Sequence, residues 1–171
     1  MKNANNGGGK LFSYGGVIFM FKANQLIMID QDIKVAADSV VFAYVDANLS
    51  ILLIQRKSDP FKGMWALPGG FLENDEDLDA GAMRELKEET GIDLKTMQQL
   101  RTYGKPGRDP RFRSISVVHQ AIINPAEHKI AAGDDAASTQ WFNTKELPEM
   151  AFDHKEVVDY AIAHFSVSLN S

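Results

Sequence analysis

Apolar and polar positions alternate in blocks along the first third of the chain. "GGVIFMF" and "QLIMID" flank the polar "KANQ", and "ADSVVFAYVD" and "SILLIQRK" flank "ANL". Short apolar runs rich in β-branched and aromatic residues, separated by turn formers, predict two β-hairpins. The Pro and Gly content of "SDPFKGMWALPGGFLENDED" predicts a loop, interrupted by one short apolar piece. From Asp75 to Thr90 the period changes. Leu78, Ala82, Met83 and Leu86 recur at helical spacing, acidic residues gather where a helix dipole favours them, and Gly91 is a stop signal. "DPRFRSISVVHQAIIN" then reads as a loop leading into a strand, "STQWFN" as a strand, and "TKELPEM" as a turn with a short helical start. Val157, Val158, Ala161, Ile162 and Phe165 predict a terminal helix packed on the sheet. Strands first, with one central and one terminal helix, give an α+β domain. The glycine-rich "MKNANNGGGK" places a flexible tail at 1–10, ahead of a single domain at 11–171.

Composition narrows the class. A chain of 171 residues with 44% hydrophobic and 24% charged positions can bury one proper core. A formal net charge of −5 disfavours a sequence-blind grip on nucleic acid. It leaves room for small anionic substrates, since local arginines or a bound cation can reverse the field. With no cysteine, thiolate metal sites and cysteine nucleophiles are excluded. No apolar run reaches the length of a membrane span, and the start lacks a signal-peptide core. The expectation is a cytoplasmic protein with neither nucleic acid nor membrane as partner. Gly15–Asp30 is a candidate dimerisation hairpin, which makes a homodimer one expectation.

The segment "RELKEETGI" gathers Glu85, Glu88 and Glu89 within about a 100° sector of the predicted helix. Glu85 and Glu89 lie beside the apolar stripe. Partial burial of several carboxylates is costly unless something positive neutralises them. A hard divalent cation with oxygen ligands does so, and Mg²⁺ is the usual choice beside phosphate. A solvated acidic face would show the same bare E-x-x-E-E pattern.

The surrounding residues decide between these readings. Gly70, Glu76, Arg84-Glu85-Leu86, Glu88-Glu89 and Gly91-Ile92 stand at the spacing of the Nudix box. The chain therefore resembles the Nudix hydrolases, from about Ala37 to Ala163. The resemblance implies an α/β/α sandwich around a mixed sheet, here with an extra N-terminal β-hairpin. It implies Glu85, Glu88 and Glu89 as metal ligands, with the Gly69 carbonyl as a backbone ligand, Mg²⁺ as the cofactor and Mn²⁺ as its alternative. Arg84 would pair with Glu76 and hold the loop to the helix. Family members hydrolyse a nucleoside diphosphate linked to another moiety. Metal ions withdraw charge from the pyrophosphate and lower the pKa of a bound water, and a carboxylate takes the proton. Glu85 is the first candidate base, with Glu88 beside it; Asp134 and Asp135 in "AAGDDAAS" are the local alternatives, or simply a polar turn.

Substrate choice must come from other loops. "GRDPRFR" supplies Arg108, Asp109, Arg111 and Arg113, a cluster suited to two-point phosphate recognition and equally to a solvated basic loop. "GRDPR" before a strand, with "FDH" (Phe152-Asp153-His154) before the last helix, resembles the ADP-ribose pyrophosphatase branch. Phe112 follows where that branch often has Gly. Arg56, Phe71 and Glu73 complete the candidate substrate contacts for a nucleotide-sugar partner. Trp65 reads as packing and His154 as a structural or capping residue. Two functions follow: Mg²⁺-dependent hydrolysis of ADP-ribose to AMP and ribose 5-phosphate, or ADP-ribose sensing by a regulator. NADH, another ADP-sugar and an oxidised nucleotide are competing substrates. The intact box favours the enzyme, as does a chain ending 17 residues after His154 (171 − 154), too short a stretch for a winged-helix domain.

Overall fold

The computed structural model describes residues 5–6, 9–14, 17–22, 25–29, 32–133 and 136–168, with side chains placed at 32–133 and 136–165. Contacts divide the chain into two units, Met1–Ile33 and Lys34–Ser171. In the first, strands β1 (Asn5–Asn6), β2 (Gly9–Tyr14), β3 (Val17–Lys22) and β4 (Gln25–Ile29) form an antiparallel sheet in sequential order. The expected hairpin is β3–β4, paired from Ile18↔Ile29 to Lys22↔Gln25. The sequence put a tail at 1–10, whereas Asn5–Asn6 and Gly9–Lys10 are paired as strands; glycine content alone does not prevent pairing when a neighbouring strand supplies the ladder. The sequence also ran one domain across 11–171, where the contacts separate 1–33. Gly15 and Asp30, which bound the candidate dimer hairpin, lie outside the described residues, as do Asp134 and Asp135.

The second unit is built on β5 (Lys34–Val45) and β6 (Asn48–Arg56), the other expected hairpin, turned by Asp46 and Ala47, both at positive φ. Two short strands, β7 (Trp65–Ala66) and β8 (Gly69–Phe71), form within the predicted loop. Helix α1 (Leu78–Thr90) follows. Then come β9 (Gln98–Tyr103), β10 (Ser114–Ile122), a 3₁₀ turn at Pro125–Glu127, β11 (Ala136–Asn143) and α2 (His154–Ser168). The sheet runs β11-β6-β5-β10-β9, with β7 on β6 and β8 on β5. Among the described strands of this sheet, β5 and β10 pair in parallel and the other strand pairs are antiparallel, which makes the sheet mixed.

Residue parity along β5 separates two cores. Ala37 and Val41 pack with Ala82 and Leu86 of α1. Val40 and Phe42 pack with Val157, Val158 and Ala161 of α2. Side chains alternate across a strand, so each helix covers one face, and β5 is buried on both. The result is the expected α/β/α sandwich. Helix α1 starts at Leu78 rather than Asp75, because Asp77 is the N-cap and accepts a hydrogen bond from the Leu78 N–H. Gly91 ends it at φ +77°, donating its N–H to the Lys87 carbonyl. "TKELPEM" makes a turn but no helix. Its end is held by main-chain bonds to β7 instead, Trp65 N–H to Glu149 O and Ala151 N–H to Trp65 O, and Pro148 lacks the N–H a helix would use. Among the described residues no helix is long and apolar enough to cross a membrane.

Candidate active site

β5 changes partner along one edge. Phe42–Val45 pair with β6, while Ala36–Asp38 pair with β8. Between these partners opens a cleft whose wall includes Arg56, Leu67, Gly69, Phe71, Glu89 and Arg111, with Asp38, Arg108 and His154 deeper in it. The box and the arginine loop therefore meet at one place.

Arg84 ties the box together. Its guanidinium donates to Glu76 at 2.6 and 2.9 Å, to Glu85 at 2.8 Å, to Glu88 at 3.1 Å and to the Phe71 carbonyl at 3.2 Å. These bonds hold the Glu76 carboxyl down at about 2 and raise Arg84 further above its usual range. Glu76 also accepts the Glu73 N–H at 2.8 Å, so loop and helix share one anchor, as the sequence suggested. Glu85 is different. Its side chain is 17% exposed, and burial pushes its carboxyl up, against the opposing effect of Arg84. Gly70 leaves no room for a Cβ beside it. Glu89 accepts the Gly69 N–H at 2.9 Å and lines the cleft.

The three carboxylates do not stand as one ready cluster. Among the described residues no three Asp, Glu or His side chains converge on a common point. Glu85 and Glu88 face Arg84, Glu88 is 59% exposed, and Glu89 faces a main-chain N–H. The donor set nevertheless fits a hard divalent cation: carboxylate oxygens from successive turns of one helix, one of them desolvated, beside the Gly69–Gly70 main chain. A desolvated carboxylate next to a repelling neighbour gains most from a cation.

The arginine loop differs from the sequence expectation in one respect. Arg108 is buried, its side chain 6% exposed, and it donates to both oxygens of Asp153 at 2.9 and 2.8 Å. Arg111 is 37% exposed and chelated by Asp109, which also accepts the Arg111 N–H. Burial raises the Asp109 carboxyl, but these bonds outweigh it and leave it low. Arg111 lies over the rings of Phe112 (4.8 Å), Phe152 (5.7 Å) and Phe71 (5.9 Å). Arg56 donates to the Pro60 carbonyl and stacks on Phe152 at 4.8 Å. Its guanidinium pKa is lowered by burial and by Arg111. Glu73 is exposed, and its contact with the box is through its N–H. Trp65 packs edge-on against Phe142, as expected. His154 is buried, and its Nδ1 accepts the Leu67 N–H at 3.0 Å. Burial lowers its pKa, which suits the neutral ring that this acceptor role requires.

Sequence reasoning missed Asp38 and gave Asp153 no role. Asp153 had a signal in "FDH". Asp38 had one too: a single carboxylate inside the apolar run "VAADSVVF", on a strand buried on both faces.

Comparison with protein families matches residues 35–161 to the NUDIX domain. The ADP-ribose pyrophosphatase of Methanocaldococcus jannaschii is 38% identical over 162 residues, which covers 89% of this chain and 91% of that protein. The ADPR responsive transcriptional repressor NtrR of Acinetobacter baylyi is 37% identical over 133 residues, covering 75% of this chain and 53% of that one. Among solved structures, the NUDIX domain of Shewanella oneidensis NrtR complexed with ADP ribose superposes with a TM-score of 0.74 at 30% identity, covering 80% of this chain and 90% of that chain. With the box assembled around Arg84 and the family matched over most of its length, the chain belongs to the Nudix family.

Proposed function

We propose that the chain is a Mg²⁺-dependent pyrophosphohydrolase that cleaves ADP-ribose to AMP and ribose 5-phosphate. The observation that carries this reading is that Glu89 of the box and the guanidinium groups of Arg56 and Arg111 line one cleft. A carboxylate of the box and positive charge for a diphosphate thus face the same space. The ADP-ribose pyrophosphatase relative and the ADP-ribose-bound structural neighbour support the choice of ligand.

Glu85, Glu88 and Glu89, with the Gly69 carbonyl, would hold the metal, which when bound neutralises phosphate charge and acidifies water. Glu85 would take the proton from the attacking water. Arg84 holds Glu85 in place and is anchored by Glu76. Arg56 and Arg111 bind the phosphates, Arg111 oriented by Asp109. Phe71, 38% exposed, forms an apolar wall for the base or sugar. Arg108 and Asp109 fix the recognition loop. The repressor relative favours a second reading, in which the same cleft senses ADP-ribose without hydrolysing it.

A substrate panel separates these readings. ADP-ribose, NADH, ADP-glucose, diadenosine polyphosphates and 8-oxo-dGTP are incubated with Mg²⁺, with and without chelator. The enzyme reading expects ADP-ribose to be preferred, with turnover abolished by chelation. Tight ADP-ribose binding without turnover would establish the sensor, and preference for another compound would move the substrate while leaving the reaction class.

A further inference from the structure

Beneath the arginine loop lies a buried polar group. Asp38, Arg108 and His154 are each nearly inaccessible, and Asp153 is 18% exposed. Residue parity on β5 explains where Asp38 points. Val40 and Phe42 face the α2 core, so Asp38 faces the same side, at the end where α2 begins. Its Oδ2 accepts the Ser116 hydroxyl of β10, and lies 3.8 Å from both Arg108 Nη2 and His154 Nε2. Oδ1 turns the other way, against the Cα of Gly69 in β8, where a Cβ would collide with it. Both Asp38 and Gly69 line the cleft. Among the described residues none donates a hydrogen bond to Oδ1.

The charge balance is uneven. Two carboxylates, Asp38 and Asp153, face one guanidinium, and both strong bonds of Arg108 go to Asp153. His154 offers no compensating charge while its Nδ1 accepts the Leu67 N–H. Oδ1 is the oxygen that opens onto the cleft and takes its hydrogen bond from what fills the cleft, so a ligand that displaces water there must bring a donor of its own or leave the acceptor unpaired. That donor cannot be phosphate, whose oxygens would be repelled. The neutral donors of a nucleoside diphosphate compound are its ribose hydroxyls and its base amine. Position chooses between them. Gly69 gives its N–H to Glu89 of the box while its Cα rests on Asp38. Asp38 is therefore close to where the pyrophosphate is cut, and the group joined directly to a pyrophosphate is ribose.

We propose that Asp38 Oδ1 accepts a hydrogen bond from a ribose hydroxyl and is a specificity-determining residue of this cleft. This rests on the proposed pyrophosphohydrolase reading and adds to it a reason why ribosyl diphosphates are preferred to deoxy ones. Sites that hydrogen-bond a substrate hydroxyl reject analogues lacking it, because the partner is left buried and unpaired.

The test compares kcat/KM for ADP-ribose, analogues lacking one hydroxyl of either ribose, and the hypoxanthine analogue lacking the base amine. Wild-type protein should discriminate against one deoxy analogue by roughly 10- to 150-fold, the range for losing a charge-assisted hydrogen bond. Asp38→Asn keeps a weaker acceptor and should reduce that ratio. Asp38→Ala should bring it near one by slowing ADP-ribose while sparing the deoxy analogue. Ser116→Ala leaves Oδ1 in place and should keep the ratio. A wild type indifferent to every hydroxyl overturns the proposal without any variant having to fold. So do Asp38 variants that slow all analogues equally, or discrimination that follows the base amine. If wild type does not hydrolyse ADP-ribose, the functional reading fails instead, and the same deoxy series on the compound it does cleave decides for Asp38.

Discussion

Arg108 and Asp153 are joined at two points, Nε to Oδ2 at 2.9 Å and Nη2 to Oδ1 at 2.8 Å, across 45 residues of chain. The pair locks the loop after β9 to the residue that precedes α2. The sequence offered Arg108 as an exposed phosphate contact. Its burial changes the expected phenotype. Removing one partner of a buried pair leaves the other uncompensated, at a cost of about 3–5 kcal/mol. Arg108→Ala should lower Tm by roughly 6–20 °C, taking 2–4 °C per kcal/mol at this chain length. Arg111 is 37% exposed but its partner Asp109 is buried, so Arg111→Ala should lower Tm by less than Arg108→Ala, where the arginine itself is buried, and reduce kcat/KM for ADP-ribose by about ten- to a hundredfold. Thermal denaturation and steady-state kinetics on the two variants check the contrast; equal effects on Tm would refute it.

The same contrast marks how far the sequence could be read. The box residues sit within a few helix turns and one loop of each other, so the resemblance to the Nudix box was enough to pair Glu76 with Arg84. The two hairpins and α2 were legible because apolar period and turn residues agree there. β9 was not, because "QQLRTY" is an edge strand whose side chains are mostly exposed and follow no apolar alternation. β8 was hidden by its glycines, which the strand needs for close approach to Asp38 and Glu85. Asp38 and Asp153 owe their roles to partners 78 and 45 residues away, Ser116 and Arg108. Pairing at that distance is set by the sheet register and leaves no local pattern.

Acid should probe the Glu76–Arg84 anchor. The folded carboxyl of Glu76 sits at about 2, below the roughly 4.3 of an unfolded glutamate. Its contribution to stability is therefore full above pH 4.3 and is lost as pH falls through about 2. Glu76→Gln should be less stable than wild type at pH 6, with the gap closing as pH approaches 2. Denaturant midpoints of both proteins from pH 2 to 6 test this. A gap that stays constant would mean that Glu76 acts through packing and not through its charge.

Metal binding should be visible in stability as well as in rate. A cation that binds only the folded chain raises Tm with concentration. Wild type should gain Tm on titration with Mg²⁺ and lose it with chelator. Glu89→Gln keeps an acceptor for the Gly69 N–H, so its metal-free Tm should stay near wild type while the Mg²⁺-dependent gain shrinks and kcat falls at least a hundredfold, the order expected when a group aligning the reaction is lost. An undiminished Mg²⁺ response in this variant would remove Glu89 from the metal site.

Adjacent glycines should fail in different ways. At Gly69, φ is +156°, and an added Cβ would meet main chain, 2.7 Å from Asp38 Cα. The β5–β8 pairing must then shift, so Gly69→Ala should cost about 1–3 kcal/mol or more and lower Tm. At Gly70 the obstacle is the far end of a side chain, 2.7 Å from Glu85 Oε2. Glu85 can turn aside more cheaply than a strand can move. Gly70→Ala should therefore keep a Tm close to wild type, yet displace the carboxylate we assign as metal ligand and base. A displacement of about 1 Å at reacting groups can cost on the order of a hundredfold in rate, so kcat should fall by that order. The apparent Mg²⁺ affinity should weaken with it, which separates this effect from loss of substrate binding. If Gly70→Ala unfolds as readily as Gly69→Ala, then Glu85 is held too rigidly to yield. If it keeps wild-type kcat, then the position of Glu85 does not govern the reaction, and the base must be sought among other residues.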